Sequence, residues 1–155
     1  MTPFNTDNTL FIYKTKNVKT PERSGRNAGF DFFVPQEQEE ITLEPLEGAT
    51  IPSGIKCKLP PDHALIAFNK SGMSVKYNLQ VGACVVDENY TGEIHLNVLN
   101  LSNNHFTIKP GMKLLQFVLI KPNYADVVQS YDLDTMYDPK DHEERGDKGF
   151  GSSGI

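Results

Sequence analysis

The stretch Ile94-His95-Leu96-Asn97-Val98-Leu99-Asn100-Leu101 decides the fold class of this 155-residue chain. Every second residue from Ile94 to Asn100 lies on one face of an extended backbone, because successive side chains of a strand point to opposite sides. Three of the four residues on that face are apolar. The alternation therefore predicts a β-strand with one face in a hydrophobic core.

Similar segments recur along most of the chain. Residues 114–121 follow the turn sequence Lys109-Pro110-Gly111 and end before Pro122, as a bounded strand does. Further strands are predicted at 10–13, 30–34, 41–43, 54–59 and 64–68. Residues 71–78 are predicted to form a helix of about two turns. Short strands with Pro and Gly between them predict an all-β sandwich or barrel.

Length and composition predict one domain followed by a segment of different character. A chain of 155 residues has the usual size of a single domain. From about Asp132 the sequence becomes polar and acidic, and it ends in a glycine-rich run that is typical of a mobile tail. We therefore divide the chain into a β domain over 1–131, an acidic connector over 132–144 and a C-terminal arm over 145–155.

The net charge of −5 is concentrated near the C-terminus. Residues 132–148 carry seven acidic and three basic side chains, hence −4 of the total. A chain with this balance is not expected to bind nucleic acid or an anionic membrane. The first ten residues lack the pattern of a secretory signal, and the longest apolar stretch is too short to cross a bilayer. We expect a cytoplasmic protein, in the host cytoplasm if a virus encodes it.

The two cysteines, Cys57 and Cys84, are far apart and form no CxxC motif. A zinc site is therefore not expected. We expect both cysteines to be small buried apolar residues.

The glycine-rich run that begins at Arg145 has residue types suited to a phosphorylated ligand. Glycine frees backbone N–H groups, serine adds hydroxyl donors, and arginine offers a planar fork to phosphate oxygens. Phe150 would stack on a planar ligand if the run closed over one. The alternative is an ordinary Gly/Ser tail.

Two internal stretches also carry suitable residues. Residues 69–74 place a lysine, a serine and a glycine at a strand-to-turn junction, which can present donors to phosphate or can be an ordinary β-turn. Residues 82–94 predict a hairpin with Asp87 and Tyr90 near its tip. The alternative there is a hairpin whose acids merely face water.

The order of these stretches is more specific than any one of them. Ala28-Gly29-Phe30-Asp31, Lys70-Ser71-Gly72, residues 86–93, residues 111–116 and residues 145–154 closely resemble the five motifs of the trimeric dUTP pyrophosphatases (dUTPases). The resemblance implies a jelly-roll-like all-β homotrimer with active sites between subunits, closed by the C-terminal arm of a neighbour. It also implies hydrolysis of dUTP to dUMP and pyrophosphate, which limits uracil in DNA and supplies dUMP for dTMP synthesis.

The resemblance assigns the chemistry and the recognition of the nucleoside to particular residues. Asp87 would orient and deprotonate the water that attacks the α-phosphorus in line. Tyr90 would pack under the deoxyribose and exclude a 2′-hydroxyl, and Phe150 would stack over uracil. The backbone from about Cys84 to Tyr90 would hydrogen-bond the uracil edge, with Cys84, Val85 and Val86 among the substrate-binding residues.

The resemblance assigns the triphosphate to a second group of residues. Arg145 would lie against the γ-phosphate and take part in catalysis. Mg²⁺ would be held chiefly by triphosphate oxygens and waters, with Asp31 touching it through water. The remaining substrate contacts would be made by Lys70, Ser71, Gly72, Gln116, Gly151, Ser152 and Ser153.

The chain departs from the family pattern at several positions. Lys70 and Lys113 stand where arginine is usual, so the charge is kept but the bidentate fork is lost. Asn89 replaces a common aspartate, and Cys84 stands where glycine is frequent.

Two alternative functions are open. A dCTP deaminase-like enzyme would share the fold. A dUTP-binding regulatory protein would act through a protein partner, for which the acidic segment 132–144 is the candidate surface.

Overall fold

The all-β prediction is confirmed by a computed structural model, which describes residues 6–137, with the backbone alone at Asp134. Within this range the chain forms eleven strands and a single short α-helix. The helix is α1 (Ser71–Tyr77). The strands are β1 (Phe11–Lys14), β2 (Gly29–Phe33), β3 (Ile41–Leu43), β4 (Gly48–Pro52), β5 (Ile55–Lys58), β6 (Ala64–Asn69), β7 (Leu79–Val81), β8 (Val85–Val86), β9 (His95–Asn100), β10 (Phe106–Ile108) and β11 (Lys113–Ile120).

All of the strand pairs are antiparallel within the described residues. Four strands form one sheet in the order β2-β11-β6-β8, and three form another in the order β4-β9-β7. The remaining strands pair as β1-β5 and β10-β3. In the four-stranded sheet, β11 has partners on both sides, β2 and β6, and β8 lies at an edge.

The buried face of β9 is the one that its alternation predicts. Leu96 and Val98 are fully buried, while His95 and Leu99 on the other face are exposed. Asn100 is also fully buried, and its side-chain amide donates to the carbonyl oxygens of Leu43, Glu44 and Asn104. These hydrogen bonds explain why a polar residue occupies a core position.

The other predicted strands are confirmed within one or two residues, as is the short helix. Strands β4, β7 and β10 were not among the predictions. Helix α1 starts after Lys70 and ends at Asn78, whose φ of 51° lies in the left-handed region that commonly ends a helix.

The predicted hairpin over 82–94 is wrong, although its turn is present. The backbone N–H of Tyr90 donates to the carbonyl oxygen of Asp87 over 3.1 Å. However, β8 before the turn pairs with β6, whereas β9 after it pairs with β4 and β7. The segment therefore crosses from one sheet to the other, and the local pattern does not reveal this because each strand finds its partner far away in sequence.

Both cysteines are half-buried and pack against the hydrophobic core without a disulfide. Burial raises the pKa of the Cys57 thiol to about 12. Among the described residues, no helix is long and apolar enough to cross a membrane.

The described residues fall into two compact units, one through Pro122 and one from Asn123. The described part of the second unit contains a 3₁₀ turn at Leu133–Thr135 and exposed apolar residues such as Val127 and Tyr131. The predicted end of the β domain at residue 131 stays a prediction. The arm 145–155 and most of the acidic connector lie outside the described residues.

Candidate active site

A cavity of about 400 Å³ lies beside strands β2 and β11 and the end of β6, and we call it the phosphate cavity. Its polar lining contains cations, carboxylates and an amide, as an anion site that also approaches a metal ion would require. The residues that matter here are Glu22, Arg23, Asp31, Lys70, Lys113 and Gln116. The structure thus brings together three of the predicted site residues, Asp31, Lys70 and Gln116.

Asp31 lies between two lysines in this cavity. Lys70 Nζ donates to Asp31 Oδ1, and Lys113 Nζ lies 3.2 Å from Asp31 Oδ2. Asp31 is on β2, Lys113 begins β11, and Lys70 follows β6, so three neighbouring segments of one sheet each contribute a charge. These two ion pairs offset the free-energy cost of removing the half-buried Asp31 carboxylate from water.

Glu22 extends the ion pairing toward solvent. Its Oε1 lies 2.8 Å from Lys113 Nζ, and its Oε2 lies 2.7 Å from Lys19 Nζ. Hydrogen bonds from Lys113 and then Lys19 lower the pKa of the Glu22 carboxyl from its usual 4.5 to about 2. The same contact with Glu22, and then the contact with Asp31, raises the pKa of Lys113. These groups are therefore charged at neutral pH.

Gln116 is fixed across the strands of the same sheet. Its side-chain nitrogen donates to the carbonyl oxygen of Asn69 over 2.9 Å, and its main chain is paired with Asp31 on β2. The amide lies directly over Gly29, where an added Cβ would be 3.0 Å from Gln116 Cδ and closer still to Oε1. A Cβ at position 29 would force this amide to move.

The predicted phosphate residues Ser71 and Gly72 begin α1, directly after Lys70. Both are exposed, and a Cβ at Gly72 would meet no atom within 4 Å. A network of amides fixes this junction from behind. Asn69 Nδ2 donates to Gln80 Oε1, Gln80 Nε2 donates to Ser74 Oγ, and Asn69 Oδ1 accepts from the Val81 N–H.

The predicted uracil-contacting residues Val85 and Val86 form the edge strand β8, and Cys84 directly precedes it. Val85 pairs with Ile66 and Val86 with Leu65, while the Cys84 carbonyl accepts from the Ala67 N–H over 2.7 Å. Because no described strand pairs with its outer edge, β8 has peptide groups turned away from β6. A planar base edge can hydrogen-bond to such groups.

The Tyr90 ring is held against the turn that follows β8. Its hydroxyl donates to the Glu93 carbonyl over 2.9 Å, and the ring covers Gly92. A Cβ at Gly92 would be 2.9 Å from Tyr90 Cε2 and closer to Cζ and the hydroxyl oxygen. The exposed fraction of Tyr90 is 44%, so an uncovered part of the ring remains available to a ligand.

The two groups of predicted residues stand at opposite ends of β6. Leu65 pairs with Val86, so Asp87 follows at the level of Ala64, whereas Lys70 lies six residues further along the chain. At about 3.3 Å per residue, the two positions are roughly 20 Å apart. One chain therefore does not bring Asp87 close to Lys70 and Ser71.

The residues present fit Mg²⁺ through water rather than by direct coordination. Asp31 supplies the carboxylate oxygens that Mg²⁺ prefers, but each of them already faces a lysine. Residues 6–137 contain no group of three or more His, Cys, Asp or Glu side chains placed to hold a metal ion. A bound ion would depend mainly on oxygens from elsewhere, such as those of a triphosphate.

Other predicted site residues lie outside the described part of the chain, namely Arg145, Phe150, Gly151, Ser152 and Ser153. Conversely, the sequence patterns predicted no role for Glu22 or Asn69. Glu22 meets Asp31 because an isolated antiparallel bridge joins their backbones across the loop 23–28. Turn-forming residues in that loop, Ser24-Gly25-Arg26-Asn27, were the available signal.

Comparisons with known proteins identify the family and agree with this fold. The family model described as dUTPase matches residues 15–154. A deoxyuridine 5′-triphosphate nucleotidohydrolase of Fusobacterium nucleatum is 34% identical over 146 residues, which is 92% of this chain and 94% of that relative. The Mus musculus protein of the same description is 30% identical over 145 residues, 93% of this chain and 83% of its own. The chain belongs to the dUTPase family.

Solved structures show the same fold. A variant dUTPase of Staphylococcus bacteriophage 80alpha, solved with dUpNHpp, superposes with a TM-score of 0.80 at 25% identity and covers 96% of this chain and 99% of its own. A dUTPase variant from phage phi11 of S. aureus, described with a structural Mg(II) ion, gives a TM-score of 0.73 at 23% identity and covers 82% of this chain and 99% of its own. The family and the dUTPase-like β fold indicated by the five motifs are thereby confirmed.

Proposed function

We propose that this chain is a dUTP diphosphatase that hydrolyses dUTP to dUMP and pyrophosphate. The relatives from Fusobacterium nucleatum and Mus musculus are described as deoxyuridine 5′-triphosphate nucleotidohydrolases. The observation that carries the proposal is the phosphate cavity, in which Lys70, Gln116 and Asp31 converge beside the exposed start of α1. This donor set suits a triphosphate and its metal ion.

On the phosphate side, Lys70, Ser71 and Gly72 would contact the phosphate chain, with Gln116 beside them. Lys70 supplies a point charge, and Ser71 supplies a hydroxyl donor at an exposed position. Mg²⁺, when bound with the nucleotide, would neutralise part of the triphosphate charge and orient it. Asp31 would meet the ion's water shell through its carboxylate.

On the nucleoside side, the backbone from Cys84 to Val86 would read the uracil edge. Cytosine presents an amine donor where uracil has an acceptor, so a backbone N–H aimed at that position rejects it. Tyr90 would pack under the deoxyribose. Because its ring is fixed over Gly92 and by Glu93, it cannot yield readily to a 2′-hydroxyl.

For the reaction, Asp87 would take a proton from a water that attacks the α-phosphorus in line. The new P–O bond forms to the water oxygen, and the bond between the α-phosphorus and the bridging oxygen breaks. Pyrophosphate leaves with the electron pair of that bond. Asp87 suits this role because its exposed carboxylate lies at the turn next to Tyr90 and so beside the sugar.

The active site would be shared between chains of a homotrimer. A base must lie within hydrogen-bond reach of its water, so Asp87 and Ser71 must serve the same phosphate chain at short range. The separation of roughly 20 Å along β6 excludes this within one chain. Asp87 of one copy would therefore face Lys70 and Ser71 of another. The arm residues Arg145, Phe150, Gly151, Ser152 and Ser153 would complete this site.

The proposal is tested by pyrophosphate release from dUTP, dCTP, dTTP and UTP, measured side by side. We expect turnover of dUTP to exceed that of the other three by orders of magnitude. Asp87→Asn should abolish turnover yet still bind dUpNHpp. The exposed Asp62 has a φ of 59°, which asparagine tolerates, so Asp62→Asn is a matched control that keeps full activity. Equal turnover of all four nucleotides refutes the proposal.

Ammonia release from dCTP would instead identify a deaminase of the same fold. Truncation after Glu144 gives a second check. Loss of the arm should reduce turnover severely while the oligomer persists, whereas full activity would show that the arm is only a tail.

A protein partner at 132–144 is a separate proposal. The solved structure of a dUTPase from Staphylococcus bacteriophage 80alpha is described with the statement that phage dUTPases control transfer of virulence genes by a G protein-like mechanism. The acidic character of this segment suits a basic partner surface. Deletion of 132–144 should abolish binding of such a partner without changing dUTP turnover. Unchanged binding after the deletion would contradict the proposal.

A further inference from the structure

Five charged side chains alternate in sign beside the phosphate cavity, and all of them except Lys19 line it. We call them the ion-pair chain, and their order is Lys19, Glu22, Lys113, Asp31, Lys70. Both oxygens of Glu22 and both oxygens of Asp31 face a lysine ammonium. Lys113 is the one member with two carboxylate partners, so the two halves of the ion-pair chain are connected through it.

The backbone explains why these charges meet. Glu22 and Asp31 exchange two main-chain hydrogen bonds of 2.7 and 3.2 Å, so their side chains lie opposite each other on one face. Two carboxylates in this position repel unless a cation lies between them. Lys113 is that cation, and its Nζ is closer to Glu22 Oε1, at 2.8 Å, than to Asp31 Oδ2, at 3.2 Å.

We propose that Glu22 is a positioning residue that limits how strongly Lys70 binds substrate phosphates, and that it acts through Lys113. By holding Lys113, Glu22 leaves Oδ1 of Asp31 to Lys70 and keeps that lysine partly occupied by an internal carboxylate. Without the Glu22 charge, Lys113 would rely on Asp31 alone. Asp31 would then release Lys70 toward an incoming phosphate.

The charge balance gives the direction of the effect. The ion-pair chain carries three lysines and two carboxylates, hence +1, and neutralising Glu22 makes it +2. The lowered pKa of Glu22, about 2, keeps its charge through the whole range in which nucleotides are assayed. Glu22 therefore weakens the binding of phosphates and eases the departure of pyrophosphate.

The test compares Glu22→Gln with wild type in calorimetric titrations with inorganic pyrophosphate and with dUpNHpp. One added positive charge near these anions, partly screened by salt, should lower Kd about threefold to tenfold at low ionic strength. For dUTP turnover, KM should fall and kcat should not rise. The matched control is Glu40→Gln, because Glu40 pairs with Lys109 at 3.6 Å and does not line the phosphate cavity.

A Lys70→Met variant separates this positioning role from a general change in charge. In Lys70→Met, the substitution Glu22→Gln should improve pyrophosphate binding clearly less than it does in wild type, because the lysine through which it acts is gone and only the general change in charge remains. An unchanged Kd in Glu22→Gln overturns the inference, and so does an equal gain with and without Lys70. The inference rests on the proposed function for the identity of the ligand. If the wild-type protein itself fails to bind dUpNHpp and pyrophosphate, the proposed function fails, whereas binding without an effect of Glu22 refutes only the positioning role.

Discussion

Replacing Gly92 by alanine should disturb the sugar site without unfolding the protein. An alanine Cβ would be 2.9 Å from Tyr90 Cε2, where ordinary van der Waals contact starts at 3.4 Å, and Cζ and the hydroxyl oxygen are nearer still. The ring must therefore move by half an ångström at Cε2 and by more at its tip. The hydrogen bond from the hydroxyl to the Glu93 carbonyl, 2.9 Å, would break.

The expected loss follows from these distances. A misplacement of about 1 Å at a positioning group can cost on the order of 10²-fold in rate, and one lost hydrogen bond costs about 1 kcal/mol. We expect kcat/KM for dUTP to fall about 10- to 100-fold. Discrimination against UTP should narrow about tenfold, because a displaced Tyr90 no longer excludes the 2′-hydroxyl. Gly92 has no positive φ, so alanine adds no backbone strain.

The assay is pyrophosphate release from dUTP and UTP, with thermal unfolding as the check on the fold. Thr91→Ala, an exposed change in the same loop, should leave both rates unchanged. In a Tyr90→Ala background, Gly92→Ala should have no further effect. Unaltered discrimination between dUTP and UTP, or an equal loss in the Tyr90→Ala background, would show that Gly92 does not act through the Tyr90 ring.

Further predictions concern stability, pH and reactivity. Asn100→Leu leaves several buried groups without their hydrogen-bond partner, so the free energy of unfolding in urea should fall by about 3 kcal/mol. The exposed Asn103→Leu should change it little. A loss under about 1 kcal/mol in Asn100→Leu would show that these hydrogen bonds do not stabilise the fold as expected. The folded pKa of Glu22 is about 2, below its usual 4.5, so its ion pairs stabilise fully above pH 4.5 and are lost as the pH falls toward 2. The difference in melting temperature between wild type and Glu22→Gln should shrink over that range, and a constant difference would contradict the assignment. In Cys84→Ser, which leaves Cys57 as the one cysteine, alkylation of Cys57 at pH 8 should be about a thousandfold slower in the folded than in the unfolded protein. The cause is the pKa of its thiol, which is about 12 in the folded protein rather than 9. Equal alkylation rates would show that folding does not protect the thiol.

Sequence patterns predict a strand correctly where the alternation of apolar and polar residues matches the burial of their side chains in the fold. Strand β9 shows this best, because burial of its even-numbered residues follows from alternation alone, down to the polar Asn100. Strands β7 and β10 have three residues each and were missed, whereas β3 has the same length and the same apolar-polar-apolar pattern and was predicted, so three residues of alternation do not decide between strand and loop. The wrong hairpin at 82–94 has a different cause, since partner choice is a long-range property that neighbouring residues do not encode.

The sequence motifs name individual residues of the candidate site, whereas the distances between these residues depend on how the strands pair. Lys70, Gln116 and Asp31 come together because β2, β11 and β6 are neighbours in one sheet. The distance from Lys70 to Asp87 could not be read from the motifs, because it depends on the register of β8 on β6. The contact between Glu22 and Asp31 was not predicted, because only an isolated backbone bridge across a loop brings the two residues together.

In the proposed mechanism, dUTP is hydrolysed in a site that no single chain can complete. This mechanism is tested by preparing mixed oligomers from two inactive proteins, Asp87→Asn and Lys70→Met with Ser71→Ala, that carry different affinity tags. In a cyclic trimer assembled at random from equal amounts, about a quarter of the sites receive an intact Asp87 from one chain and an intact Lys70 and Ser71 from its neighbour. We expect these mixed oligomers to release pyrophosphate from dUTP at about a quarter of the wild-type rate. Mixed oligomers that remain as inactive as their parents would contradict this mechanism.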